Sequence, residues 1–140
     1  MVKEKIDNLD QLLNGLCSDL GRAELIYQLF TNGKDIPRNH LHIAVEFYEK
    51  ARRYNKAGYL ARELGMDERA IEFYERSGMD VDAADFAKRL GMDERANQLY
   101  SKVIGAYEDI GYYYGATQLA KRVGMHDKVE LYKTIEKLLK

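Results

Sequence analysis

Apolar residues recur at intervals of three and four along most of the chain, the spacing that gathers them on one stripe of an amphipathic helix. Ile6, Leu9, Leu13, Leu16 and Leu20 predict a first helix over about 2–20, with Gly15 inside it at a cost of about 1 kcal/mol. Gly21 breaks that pattern, and Ile26, Leu29 and Phe30 restart it in a short second helix over 22–31, closed by Asn32-Gly33. After Pro37, the positions Leu41, Ala44, Phe47, Tyr48 and Ala51 predict a helix over about 38–54. From there two kinds of helix alternate. The first kind, helix A, carries Ala57, Leu60, Ala61 and Leu64, then Ala83, Phe86, Ala87 and Leu90, then Ala116, Leu119, Ala120 and Val123. Its alanines permit close helix approach. The second kind, helix B, carries Ala70, Phe73 and Tyr74, then Ala96, Leu99 and Tyr100. A last helix over 127–140 turns Val129, Tyr132, Ile135, Leu138 and Leu139 inward, with Lys137 and Lys140 suited to its C-terminal dipole.

The alternation repeats in sequence as well as in pattern. The heptapeptide Leu64-Gly65-Met66-Asp67-Glu68-Arg69-Ala70 recurs as Leu90-Gly91-Met92-Asp93-Glu94-Arg95-Ala96, 26 residues on, and Val123-Gly124-Met125-His126-Asp127-Lys128-Val129 echoes it 33 residues later. Identity at a fixed period signals stacked repeats. Each helix A stops at a glycine, Gly65, Gly91 or Gly124, where a left-handed residue satisfies the last carbonyls. Asp67 and Asp93 are expected to cap the helix that follows, and Met66 with Ile71 to form a hydrophobic staple. The final step is seven residues longer. If Gly105 ends helix B, the added length falls to the next helix A, over 106–123, where about two extra turns keep its facing and Tyr107, Ile110 and Tyr114 continue the stripe. The expected fold is all-α, an α-α superhelix of stacked antiparallel helical hairpins with about nine helices. It forms one domain, 1–140, with capping helices in 1–33, repeats over 38–126 and a C-terminal capping helix in 127–140.

Counted from the turn glycine, Ala70 and Tyr74 fall at plus five and plus nine, and Ala96 and Tyr100 repeat this after Gly91. The spacing resembles the tetratricopeptide repeat, whose turn glycine, helix-B alanine and aromatic are similarly placed; Gly58, Ala84 and Thr117 match its small helix-A position. Roughly residues 39–133 share the pattern, with departures: the period is 26 where the family has 34, the helix-A Trp and Tyr are replaced, and no repeat ends in proline. The likeness is to the short, divergent hairpins of vesicle-coat and intraflagellar-transport solenoids. It implies a right-handed superhelix with a concave face lined by helix A, and protein or peptide binding by analogy.

Composition narrows the function further. With 22 Lys and Arg against 23 Asp and Glu, the net charge of −1 lacks the bulk positive footprint of a general nucleic-acid binder. The lone Cys17 excludes an intramolecular disulfide and, among apolar residues, reads as a buried inert thiol. Lys3, Glu4 and Lys5 lead into an amphipathic segment, not an apolar leader, and no stretch approaches the ~20 apolar residues of a membrane span, so the expected compartment is the cytoplasm, with no membrane partner. His40 and His42 lie on different sides of a helix and read as solvent-facing or capping, without a metal. No phosphate loop, nucleophile elbow or zinc-ligand spacing is present, so no cofactor and no catalysis are expected.

One polar feature recurs. Superposing the helix-A copies brings Arg62, Lys88 and Lys121 to one position, with Glu63, Arg89 and Arg122 beside them and Tyr59, Asp85 and Gln118 one turn earlier. In a stacked array these form a ladder of five cations against two acids. Its structural reading is a set of cations favoured by the helix C-terminal dipole. Its functional reading is a grip on an acidic protein segment or a chain-terminal carboxylate by Tyr59, Arg62, Lys88, Arg89, Gln118, Lys121 and Arg122 through charge-assisted hydrogen bonds, with contact area added by Tyr59, Tyr112 and Tyr113. The expected function is therefore a non-catalytic protein-interaction module, monomeric or weakly dimeric, with a protein or peptide partner. Phosphate tracking along RNA by the same ladder, or self-association through open repeat ends, are the alternatives.

Overall fold

Residues 2–140 are described by a computed structural model. Among them nine helices form and no strand: α1 (Leu9–Asn14), α2 (Asp19–Thr31), α3 (Arg38–Lys50), α4 (Tyr54–Glu63), α5 (Asp67–Arg76), α6 (Asp80–Arg89), α7 (Asp93–Asp109), α8 (Tyr113–Val123) and α9 (His126–Leu138). The contacts gather into two compact units, 1–79 and 80–140. In the first, α2 packs on α3, α3 on α4 and α4 on α5; in the second, α6 packs on α7, α7 on α8 and α8 on α9. Each unit is thus a series of helical hairpins built from chain neighbours.

One turn, repeated, makes these hairpins. At Gly65 (φ +76°) and Gly91 (φ +79°) the chain enters the left-handed region, as the sequence pattern requires. The Gly65 amide donates to the Arg62 carbonyl at 3.1 Å and the Met66 amide to Ala61 at 2.8 Å; Gly91 and Met92 do the same to Lys88 and Ala87. This pair of bonds satisfies carbonyls that the helix end would leave open. The next helix restarts at once. Met66, Met92, Tyr112 and Met125 hold φ of −86° or −87° and ψ between 63° and 73°, and these residues, not the aspartates, occupy the N-cap. Asp67 and Asp93 are first-turn residues that make no capping bond, so their contribution is charge against the helix dipole. Met66, as N-cap, stands one place later than a hydrophobic staple requires.

The same turn occurs after α3 without glycine. Arg52 adopts φ +57°, with its amide bonded to Glu49 and that of Arg53 to Tyr48. Hence the helix expected over 38–54 ends at Lys50: the turn geometry is that of its neighbours, but the residue that advertises it is missing. A left-handed non-glycine residue costs about 1–2 kcal/mol, and glycine adds about 0.4–1 kcal/mol of unfolded-chain entropy, so Arg52→Gly is expected to raise stability by up to about 1.6 kcal/mol in denaturant unfolding.

Three further boundaries differ from the sequence reading. The helix expected over 2–20 is instead the short α1 and the start of α2, because Ser18 accepts the Gly21 amide at 2.9 Å and begins a helix ahead of the glycine expected to break one. Arg22 then bonds the Leu13 and Leu16 carbonyls at 3.0 and 2.7 Å, and Cys17 lies exposed in the link, not buried. Gly105 sits inside α7, whose 17 residues run on to Asp109, so the added length belongs to helix B and α8 begins only at Tyr113. The turn is at Gly111 (φ +71°), leaving Ile110 and Tyr114 exposed where a continuing stripe would bury them. Leu90, just past the end of α6, and Leu138 and Leu139, at the end of α9, are also exposed, where an inward face was expected of them.

The core alternates alanines with large side chains. Ala57, Leu60 and Ala61 on α4 meet Ala70, Ile71, Phe73 and Tyr74 on α5; Ala83, Ala84 and Ala87 on α6 meet Ala96, Leu99 and Tyr100 on α7. Within each pair, small residues on one helix admit aromatic or aliphatic bulk from the other.

Candidate functional site

Tyr48, Tyr74 and Tyr100 recur every 26 residues, Tyr132 falls one place early in the last copy, and all four are buried. A buried phenol needs an acceptor. Tyr48 donates to the Ala23 carbonyl at 3.1 Å, Tyr100 to the Asp85 carboxylate and Tyr132 to Glu108. Burial and the adjoining Asp85 carboxylate push the Tyr100 phenol up to about 12; burial, then Glu24 and Glu108, raise Tyr48 and Tyr132 as well. Glu108 is held below the usual carboxylate range by hydrogen bonds from Tyr132 and Lys128. In the unfolded chain these phenols ionise near pH 10. Folded proton affinity is therefore higher, the stabilisation is complete below about pH 10, and it is lost as pH rises towards the folded value. Thermal unfolding is expected to fall steeply between about pH 10 and 12, with phenolate absorbance from the buried rings appearing together with unfolding.

The Tyr100–Asp85 contact reaches the surface of the second unit. Asp85, on α6, also accepts a hydrogen bond from the Arg122 guanidinium on α8. Arg122 also lines a groove of about 270 Å³, together with Val81, Tyr107, Tyr112, Tyr114, Gly115, Gln118 and Leu119. Tyr107 and Tyr112 meet edge to face with centroids 5.2 Å apart, and Tyr114 is tilted against Tyr112 at 6.5 Å. Tyr112 and Tyr114 remain 47% and 60% exposed, a large aromatic area held open to solvent. Gly115 makes this possible: a Cβ there would collide with the Tyr112 ring, which lies against the bare backbone of α8. No family model, no curated protein and no solved structure matches this chain. What the groove does therefore follows from its own chemistry.

Of the residues singled out in the sequence, Lys88 and Arg89 stand exposed in the last turn of α6, and Lys121 and Arg122 in the last turn of α8, with Gln118 one turn earlier. Gln118 and Arg122 line the groove. Arg89 is also placed over the Phe86 ring, 5.8 Å from its centroid. Arg62 is exposed in the last turn of α4, in the first unit. Tyr59, on the same helix, is half-buried against Tyr27 and Phe30, with centroids at 5.7 and 6.5 Å, so its ring serves packing. Asp85 is the correction. The sequence counts it as an acid diluting the cations, whereas it fixes one of them. Of the tyrosines, Tyr112 is expected from the sequence to give contact area and lines the groove, Tyr113 packs instead on Tyr132 with centroids 6.2 Å apart, and Tyr107 and Tyr114, expected on the stripe of one long helix, join the groove because α7 runs on past Tyr107.

The two histidines part company. His42 is exposed, while the His40 ring contacts Asp10 through Nε2 at 2.7 Å and Asn39 through Nδ1 at 3.2 Å, joining α3 to α1. Among the described residues no three potential metal-ligating side chains converge, and no helix is long and apolar enough to cross a membrane.

Proposed function

We propose that this chain is a non-catalytic protein-interaction module that holds a segment of a partner protein in the groove between α6 and α8. The observation that carries this reading is Arg122, a lining residue of the groove whose guanidinium is engaged by Asp85, itself bonded by the buried Tyr100. A cation fixed before binding loses little side-chain freedom on meeting a carboxylate, and Arg keeps several donors after one is given to Asp85. Tyrosine walls add rigid amphipathic area at low entropic cost, the composition typical of protein-binding surfaces. Likeness to tetratricopeptide hairpins points the same way by analogy.

The test is capture from native lysate with tagged wild type beside Arg122→Gln and, as a control away from the groove, Lys133→Ala, eluted in steps of rising salt. A protein retained by wild type and by the α9 variant, and lost by the groove variant, supports the proposal. Enrichment of RNA with steep salt dependence, or recovery of the chain alone, overturns it in favour of a nucleic-acid reader or a self-associating subunit.

A further inference from the structure

Charge is unevenly distributed along the groove. Arg122 lines the groove, and Lys88 and Arg89 in the last turn of α6 and Lys121 in the last turn of α8 are exposed cations on the same two helices, while Asp82 in the first turn of α6 and Asp109 at the end of α7 are exposed acids. The one acid among those cations, Asp85, is engaged by Arg122 and Tyr100. An occupant complementary to this surface is apolar or aromatic against the tyrosines and anionic against Arg122.

The spacing along α8 sets the register. Tyr114 and Arg122 lie eight residues apart on one helix, about 12 Å at 1.5 Å per residue. An extended peptide rises about 3.3 Å per residue, so it spans that length in about four residues, and side chains at i and i+4 point to the same side. Resting on the proposal that the groove binds a protein segment, we infer that its occupant is an extended peptide in which an apolar side chain and a carboxylate stand four residues apart. The apolar side chain enters between Tyr107, Tyr112 and Tyr114, over Gly115. The carboxylate meets Arg122, and Gln118 serves the peptide backbone between the two side chains. Asp85 is a positioning residue: it touches no ligand and acts through Arg122.

Fluorescence anisotropy on the full chain tests this with labelled, end-capped Leu-Ser-Thr-Ser-Glu-Ser, its reversed sequence, and the respaced isomer Leu-Glu-Ser-Thr-Ser-Ser. Binding of one chain direction is expected, with the respaced isomer weaker by about tenfold or more, since each charge-assisted hydrogen bond lost is of that size. Gly115→Ala and Arg122→Gln are each expected to lose about tenfold while helical circular dichroism is unchanged, because alanine is the better helix former and Arg122 lies at the surface. Equal affinity for the respaced isomer, no binding of either direction, or tighter binding of oligouridylate that displaces the peptides would overturn the inference. If the peptides fail but lysate capture still depends on Gly115 and Arg122, the protein-binding reading survives and only this ligand falls. If capture is also indifferent to both variants, both fall.

Discussion

Tyr48→Ala is expected to lower stability by about 3–5 kcal/mol, the cost of truncating a large aromatic side chain in a core that cannot collapse around the void. Tyr48 is fully buried, packs edge to face on Tyr27 at 6.1 Å, and spans from α3 to the α2 backbone through its hydroxyl. Tyr48→Phe separates the two contributions. The Ala23 carbonyl lies in the interior of α2 and keeps its helical donor, so the hydroxyl's loss should cost only about 0.5–1.5 kcal/mol. Urea unfolding of the three proteins checks both figures. A phenylalanine variant as unstable as the alanine one would show that the hydroxyl, not the ring, carries the site.

Gly58→Val is expected to destabilise by about 2–3 kcal/mol, for the opposite reason. A glycine in mid-helix usually forgoes about 1 kcal/mol, so replacing it ought to help. Here a Cβ would meet the Tyr74 ring at 3.0 Å and the Phe73 Cβ at 3.3 Å, and both belong to buried residues of α5 with nowhere to move. Gly58→Ala brings the propensity gain against a smaller clash and should fall between wild type and the valine variant. Thermal unfolding of the series measures the balance; valine at or above wild-type stability would show that α4 and α5 can separate without loss.

Helix type and hairpin order were legible because the informative residues act locally. A left-handed glycine needs no distant partner to set its turn, and an alanine stripe at helical spacing declares its buried face whatever packs on it. Errors arose where a local signal was absent or doubled. Arg52 makes the repeat turn without glycine, and Ser18 starts a helix inside an apolar run that suggested continuity. The sequence offers Gly105 as the stop, but the turn comes six residues on at Gly111, where Tyr107 before it packs on Tyr112 after it, which is tertiary information. The site was half legible for the same reason. Repeat alignment finds Lys88, Arg89, Gln118, Lys121 and Arg122, since it compares like positions. It cannot find the Asp85–Arg122 pair, which joins unlike positions on α6 and α8, nor the hydroxyl of Tyr100 beneath it.

The 17 residues of α7 against the 10 of α5 amount to an insertion of about two whole turns, so the residues beyond it return to the orientation they would otherwise have had. Register-neutral lengthening of this kind is a route by which a monotonous array acquires individuality. It leaves the packing code of every other element untouched, yet it carries one hairpin bend outward with Tyr107 before it and Tyr112 and Tyr114 after it. Excising a matching pair of turns would return an ordinary stack with no recess. Grafting them onto another hairpin of the same design would move the recess with them.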